Sequence, residues 1–258
     1  MRAFFFVFLV AASLPGAADA HKPFYSLDGE YSGSDAAYVV EDLDMSIVLY
    51  HQVFCGEGEQ LWMEFEATPG QEIYMQVGVP LIERLAAYRP DLALLAPGLP
   101  EPTGDLPFEV PEGLGVLHFP GADSTDEVEV FYEPFTQTES WMLHESTRTL
   151  EEGGSGYLVA WHPDGATGKL WVATGTEERF GSEDFDNMGT WITETRAFHE
   201  TGEDGATPEV NEEVCAVPEE SAAGCSAVVS AGSSRSAWWA LGLPLVGSRL
   251  RRRSAPCA

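Results

Sequence analysis

The sequence predicts a mostly β protein, an antiparallel β-sandwich of jelly-roll type with one or two short helices. Three observations indicate this fold. Apolar and polar residues alternate along many short segments between residues 38 and 175, the chain contains 26 Gly and 17 Pro, and helical periodicity is scarce. Short alternating strands separated by Gly and Pro turns are typical of sandwiches. We therefore expect one sandwich domain over residues 21–200.

The clearest strands form two predicted hairpins. In the first, residues 60–66 and 72–77 flank the turn Thr68-Pro69-Gly70, with Leu61, Met63 and Phe65 on one face. The second joins residues 156–161 to residues 169–173 across a Gly-rich segment that contains Asp164-Gly165. Further strands are predicted over residues 46–54, 91–95, 115–119, 128–132 and 140–144.

Helix and loop signals are fewer. Residues 80–88 predict one short helical turn that begins with Pro. Residues 188–200 predict a second helix, because Trp191, Ile192, Thr195 and Phe198 recur at helical spacing, although the Thr-rich part could equally be a strand. Residues 97–113, which hold five Pro residues, predict an extended surface loop.

The first 20 residues have the three parts of a secretory signal peptide. Arg2 precedes an apolar run that is too short to span a bilayer, and the run is followed by the small-residue site Ala18-Asp19-Ala20. We therefore expect export, with cleavage after Ala20 and a mature chain that begins at His21.

The C-terminal segment 225–258 differs in composition from the rest of the chain. It contains no acidic residue and runs from Cys225 through the apolar stretch 237–247 to an arginine cluster at 249–253. This order resembles the C-terminal sorting tails of myxobacterial surface proteins. The resemblance implies that a membrane-bound sorting protease processes the tail near Cys225, the processing or lipid-attachment residue. The arginines would hold the tail at the cytoplasmic face. The alternative is an unstructured tail.

The segment before this tail, residues 201–224, is rich in Glu and predicts a disordered acidic linker. The whole chain carries 42 acidic residues against 13 Lys plus Arg, a formal charge of -29. Because a phosphate backbone is bound by basic surfaces, this charge excludes nucleic acid as a partner. It also leaves the tail as the only part expected to contact a membrane.

Four cysteines in an exported chain favour a disulfide. If Cys225 is modified and the end of the tail is removed, Cys55 and Cys215 are the candidates for one bridge. A pairing of Cys215 with Cys225 remains the alternative, because four cysteines allow three full connectivities.

His21 is a candidate metal ligand. Export would free its α-amino group beside the imidazole, a bidentate copper site that resembles the histidine brace of lytic polysaccharide monooxygenases and of some copper carriers. A second imidazole could come from His51, His118, His144 or His162, and we favour His51 because it lies on an early strand that an N-terminal arm could join. The alternative is that His51 is a core residue.

Other site chemistry is less well supported by the sequence. The carboxylates of residues 183–189 are a weaker calcium candidate, because they lack the twelve-residue loop pattern and suit a solvated acidic loop. The chain has neither zinc-type His or Cys spacing nor a G-x-S-x-G or phosphate-loop motif. We therefore favour a protein that is not an enzyme.

Three aromatic residues are candidate ligand-stacking groups. Trp62 and Tyr74 fall on the polar faces of their strands, and Trp171 shares a face with Lys169. Aromatic rings among polar side chains can stack on sugar rings or on a protein partner. The alternative is that another layer, such as residues 188–200, covers this face and makes the rings part of the core.

Together these features predict an exported, surface-displayed acidic β-sandwich with a non-catalytic role in binding, adhesion or envelope structure. Its expected partners are the cell envelope or an extracellular ligand, with carbohydrate among the candidates. The main alternative is a copper protein built on His21, either an oxidative polysaccharide enzyme or a copper carrier. A third is a surface coat in which the negative charge is itself the function.

Overall fold

The computed structural model describes residues 21–54, 59–121 and 128–201. These residues form eleven strands, one 3-10 turn and one α-helix. In chain order the elements are β1 (Lys22–Ser26), β2 (Tyr38–Val40), β3 (Ile47–Val53), β4 (Gln60–Ala67), β5 (Glu72–Pro80), the 3-10 turn (Glu83–Leu85), β6 (Asp91–Ala96), β7 (Gly115–Phe119), β8 (Glu129–Glu133), β9 (Thr138–Thr149), β10 (Gly154–Trp161), β11 (Gly168–Thr174) and α1 (Ser182–Phe198).

The strands form two sheets packed as a sandwich, which confirms the predicted fold class. The six-stranded sheet has the order β1-β3-β11-β5-β9-β8, and the five-stranded sheet has the order β2-β4-β10-β6-β7. Neighbouring strands are antiparallel except at one edge of each sheet, where β1 runs parallel to β3 and β2 runs parallel to β4. The N-terminal arm therefore joins β3, as the sequence suggested.

Neither predicted hairpin forms. Strand β4 pairs with β2 and β10 in one sheet, whereas β5 pairs with β9 and β11 in the other. Likewise, β10 and β11 lie in different sheets, so both turns carry the chain across the sandwich rather than back along a neighbouring strand. The prediction was wrong because turn residues mark where a strand ends, while hydrogen-bond partners depend on contacts that are distant in the sequence.

The main core lies between the two sheets. Leu61, Met63 and Phe65 face it from β4 and are at most 2% exposed, as their alternation predicts. All residues of β6 and β11 are buried, because other parts of the protein pack on both faces of these strands. Such strands read as nearly continuous apolar runs rather than as alternating ones.

A separate layer covers the outer face of each sheet. On the five-stranded sheet, residues 97–113 do not simply pass over the surface, because Phe108 packs edge-to-face against Trp62 and Trp161. On the six-stranded sheet, α1 packs against Tyr50 and neighbouring rings through Phe198. These two covers decide which outward-facing side chains meet solvent.

Helix α1 begins six residues before the predicted helix and ends two residues before its end. Its first turn is closed by the Asp184 carboxylate, which accepts a hydrogen bond from the Gly181 amide at 2.8 Å. Asp184, Thr195 and Phe198 are its only buried residues, so polar links hold much of this helix on the sheet.

Gly78 lies directly beneath the indole ring of Trp171. A Cβ atom at Gly78 would stand 2.3 Å from Trp171 Cζ2, well inside van der Waals contact. We expect Gly78→Ala to lower the free energy of unfolding by about 2 kcal/mol through overpacking, measured by urea denaturation. Gly189→Ala is the matched control, because a Cβ there meets no atom within 4 Å in α1. The control is expected to stabilise the protein by roughly 0.5–1 kcal/mol, so equal losses would contradict the argument.

Candidate ligand pocket

A pocket lies between α1 and the outer face of the six-stranded sheet. Its free volume is about 30 Å³, which is room for one or two water molecules or for one small polar group of a ligand. We call it the sheet–helix pocket. Its lining consists of aromatic and small polar residues from β1, β3, β5, β8, β9 and β11 and from the C-terminal end of α1, including Tyr50, Gln76, Phe131, Ser140, Trp171 and His199.

A directed chain of hydrogen bonds crosses one wall of this pocket. Trp171 Nε1 donates to Ser140 Oγ at 3.0 Å, and Ser140 Oγ lies 3.1 Å from His199 Nε2. His199 Nδ1 lies 2.8 Å from the Thr195 carbonyl oxygen, which can only accept. The His199 proton is therefore on Nδ1, and Nε2 accepts the hydrogen bond from Ser140.

This chain holds His199 in its neutral form. The residue is 5% exposed, and burial lowers the pKa of its imidazole to about 4, with a smaller contribution from the nearby Lys169 charge. The pair of Ser140 and His199 does not suit nucleophilic catalysis, because Ser140 already accepts the Trp171 N–H and is 3% exposed. A base with so low a pKa is also a weak acceptor of a serine proton at neutral pH.

A second polar link ties α1 to the edge strand β1. Tyr25 Oη donates to the Trp191 carbonyl at 3.1 Å and lies 2.7 Å from Thr195 Oγ1, which is the donor in that second contact. Burial raises the pKa of Tyr25 to about 12, so the phenol stays protonated and keeps donating. The pKa of Tyr50, stacked on Tyr25 at 5.4 Å, is raised for the same reason.

The C-terminal end of α1 is held by a buried group of three charges. Arg84 donates to both carboxylate oxygens of Glu200, at 2.5 and 2.9 Å, and Lys169 Nζ donates to Glu200 Oε1 at 2.9 Å. Lys169 also donates to the Phe198 carbonyl, one of the carbonyls left open at the helix end. We call Arg84, Lys169 and Glu200 the charge triad. It fixes α1 above the pocket.

Gln76 is a polar side chain of the pocket that makes no hydrogen bond to the described residues and is open to whatever enters the pocket. It projects outward from β5 and is 6% exposed. By contrast, Glu133 accepts hydrogen bonds from the Phe135 and Thr136 amides, and Thr136 and Thr138 bond to each other at 2.8 Å. Because its amide atoms are not cut off from solvent, the Gln76 amide can bond to water in the pocket or to a ligand that displaces that water.

The structure separates the two predicted copper ligands. His21 lines the sheet–helix pocket beside Pro23, whereas His51 faces the sandwich core and lies 3.0 Å from Ser26 Oγ. Since Ser26 is the register partner of His51, five residue steps or about 16 Å of strand separate the two histidines. Strand register therefore places His51 at the far end of β1 from His21 and on the opposite face of the sheet.

The structure also shows the surroundings of the three candidate ligand-stacking residues. Trp62 and Trp171 are 2% and 4% exposed, so neither stands on an open polar face. The covers formed by residues 97–113 and by α1 make them core residues, which is the alternative that the sequence left open. Tyr74 is half-buried, and its hydroxyl donates to Glu145 at 3.1 Å, outside the pocket.

The predicted calcium segment is not a loop. Residues 183–189 form the first turns of α1, where Asp184 binds Lys22 Nζ at 2.5 Å. Over residues 21–54, 59–121 and 128–201, no group of three His, Cys, Asp or Glu side chains is arranged to hold a metal ion.

Several predicted residues lie outside the described ranges. These are the disulfide candidates Cys55 and Cys215 and the tail residue Cys225, together with the predicted signal peptide and nearly all of the acidic linker. In the part of the chain that the structure describes, no helix is long and apolar enough to cross a membrane.

Sequence reasoning missed the three polar residues that organise the pocket. The sequence pattern indicates only that Gln76 faces outward from an alternating strand and that Ser140 begins a short strand. His199 is one histidine of a chain that lacks zinc-type spacing. Their meeting depends on where α1 docks on the six-stranded sheet, which the spacing of apolar residues within the helix does not specify.

No protein-family model matches the chain, and no curated protein matches its sequence. Among solved structures, it is similar to the pre-peptidase C-terminal domain of a collagenase from Bacillus anthracis, at 11% identity over 53% of this chain and 91% of that chain, with a TM-score of 0.28. It is also similar to the periplasmic inhibitor of g-type lysozyme from Aeromonas hydrophila, at 10% identity over 60% and 98% of the two chains, with a TM-score of 0.24. A third is CorA, a surface-associated copper-binding protein of Methylomicrobium album, at 9% identity over 55% and 98%, with a TM-score of 0.28. Likeness at this level carries no conclusion about function.

Proposed function

We propose that this protein is an exported, surface-displayed β-sandwich that binds an uncharged ligand without chemical turnover, and that the ligand inserts one polar group into the sheet–helix pocket. A sugar hydroxyl or an N-acetyl group is the kind of group that fits. The sequence supports export through its signal peptide and surface display through its sorting tail.

One observation carries the binding proposal: the Gln76 amide makes no hydrogen bond to the described residues. An amide offers two donor hydrogens and one acceptor, so it is complementary to a group that both donates and accepts. A hydroxyl or a second amide has that property, whereas a carboxylate or phosphate only accepts. The formal charge of -29 also disfavours anionic ligands through long-range repulsion.

The size of the pocket limits what enters. A volume of about 30 Å³ admits a hydroxyl-sized or amide-sized group but not a whole sugar ring. The rest of the ligand would lie along the rim, where Phe131 and Phe135 are only partly buried. Aromatic side chains at such a rim supply the contact area that sugar rings use.

Replacing Gln76 separates binding from folding. We expect Gln76→Leu to weaken binding by about tenfold, the equivalent of one lost hydrogen bond of about 1.4 kcal/mol, in titrations with the ligands that an array of neutral oligosaccharides identifies. We also expect the variant to be about as stable as the wild type, because no hydrogen bond to another described residue is lost.

Tyr74→Phe is the matched control, since Tyr74 lies on the same face of β5 but outside the pocket. This variant is expected to bind like the wild type. An array without any hit, or a Gln76→Leu protein that binds normally, would remove the proposal.

A further inference from the structure

A second cavity, larger than the sheet–helix pocket, lies against the five-stranded sheet. It is an open groove of about 440 Å³ between residues 100–106 and strand β7, which is within the size range of small-molecule sites. We call it the proline groove. It is lined by residues 100–106, 116–118 and 120.

The wall of this groove is built into the fold. The Val116 amide donates to the Pro100 carbonyl at 2.7 Å, and Gln60 Nε2 donates to the Pro107 carbonyl at 3.1 Å. Gly115 allows this close approach, because a Cβ atom there would stand 1.9 Å from the Leu99 carbonyl oxygen. Proline residues further restrict the backbone of residues 100–106. This segment would therefore lose little conformational entropy when a ligand binds.

His118 lines the groove, and its ring is fixed by contacts with Asp91 and Trp161. Its Nε2 atom lies 2.8 Å from Asp91 Oδ2, while Asp91 Oδ1 accepts a hydrogen bond from the Gly121 amide at 2.7 Å. Because a carboxylate only accepts, Nε2 carries a proton, and in the neutral imidazole Nδ1 is then the acceptor. The His118 ring is stacked on Trp161 at 5.2 Å, so both its plane and its tautomer are held.

The polar groups of the groove are nearly all acceptors. Glu101 and Asp105 add two carboxylates, neither Lys nor Arg is among the lining residues, and the Thr103 hydroxyl is the single side-chain donor besides the Asp91-bound N–H. The remaining wall is apolar, formed by proline, leucine and valine. A ligand complementary to this surface carries several donor hydrogens and a positive charge at one end and an aliphatic stem at the other.

We propose that the proline groove binds a small primary aliphatic amine in its ammonium form. The ammonium group, with three donor hydrogens, would bind His118 Nδ1 and the carboxylates of Glu101 and Asp105. The aliphatic stem would lie on Pro100, Leu106 and Val116. This site is independent of the ligand proposed for the sheet–helix pocket.

The probe is n-pentylammonium chloride, titrated at pH 8 into the full chain while NMR follows the His118 ring and the Trp161 indole. We expect saturable shifts at both residues. The double variant Glu101→Gln/Asp105→Asn should weaken binding by about fivefold or more, the equivalent of at least one exposed ion pair. His118→Phe, which keeps a ring on Trp161 but lacks the acceptor, should weaken it by a similar factor.

The matched control is Glu109→Gln/Glu112→Gln, which removes the same charge from the same segment but outside the groove. It should leave the pentylammonium affinity unchanged, as should Gln76→Leu. Equal weakening by the two double variants would show only general attraction to an acidic protein and would overturn the site. Equal binding of 1-pentanol would also overturn it, because the ammonium charge would then play no part. Tighter binding of a lysine-containing peptide than of pentylammonium would overturn the small-amine assignment.

Discussion

Removing the carboxylate of the charge triad is expected to destabilise the protein more than any other single change described above. In Glu200→Ala, Lys169 and Arg84 would keep their positive charges while losing their common partner, and the Lys169 side chain is only 6% exposed. Breaking a buried ion pair on one side typically costs about 3–5 kcal/mol, because a charge is left desolvated and unpaired. Urea denaturation should show this loss in the free energy of unfolding, together with earlier hydrogen exchange in α1.

The control is an ion pair of similar composition at the surface. Arg179 binds Asp42 and Glu177, but its side chain is 48% exposed. We expect Arg179→Ala to cost much less stability than Glu200→Ala, because water screens the interaction. If the two variants lose the same stability, burial of the triad is not what fixes α1.

Acidification is expected to release α1 through His199. The native protein holds this imidazole neutral with a pKa of about 4, whereas an unfolded chain would titrate it near its ordinary value of 6.5. Since the unfolded state binds the proton more readily, the stability from the neutral form is complete above about pH 6.5 and is lost as the pH falls. The loss should reach about 3 kcal/mol at pH 4.

Comparison with His199→Gln isolates this contribution, because glutamine can donate and accept but does not titrate in this range. Urea unfolding of both proteins at pH 7.5 and pH 4 gives the difference, and the titration of the many surface carboxylates cancels between them. A wild type that loses no more stability than His199→Gln would contradict the assignment of His199 as the buried neutral group.

Much of the fold was predictable because each strand carries local information. The alternation of Leu61, Met63 and Phe65 identified an inward face that the structure confirms, and the Gly and Pro turns marked most strand ends. The spacing of Thr195 and Phe198 placed the correct side of α1 on the sheet. These signals follow from the geometry of the backbone itself, with a period of two in strands and 3.6 in helices.

The candidate sites were not predictable in the same way. The alternation of Trp62 and Trp171 with apolar neighbours predicts that both rings are exposed. In the structure, each ring is covered by a segment that is distant in the sequence. The environment of Gln76 likewise depends on α1, more than a hundred residues away. A side chain on the outer face of a sheet follows the same local pattern whether water or another layer lies above it.

The sequence by itself therefore determined the all-β character of the protein, the positions of most strands, the inward-facing residues and its strongly acidic charge, because each depends on residues close together in the chain. Only the tertiary structure decided which strands share a sheet, which aromatic rings are buried, and where His118, His199 and Gln76 meet their surroundings. Those outcomes depend on long-range contacts, in which loop closure, burial of apolar surface and hydrogen-bond satisfaction are settled together.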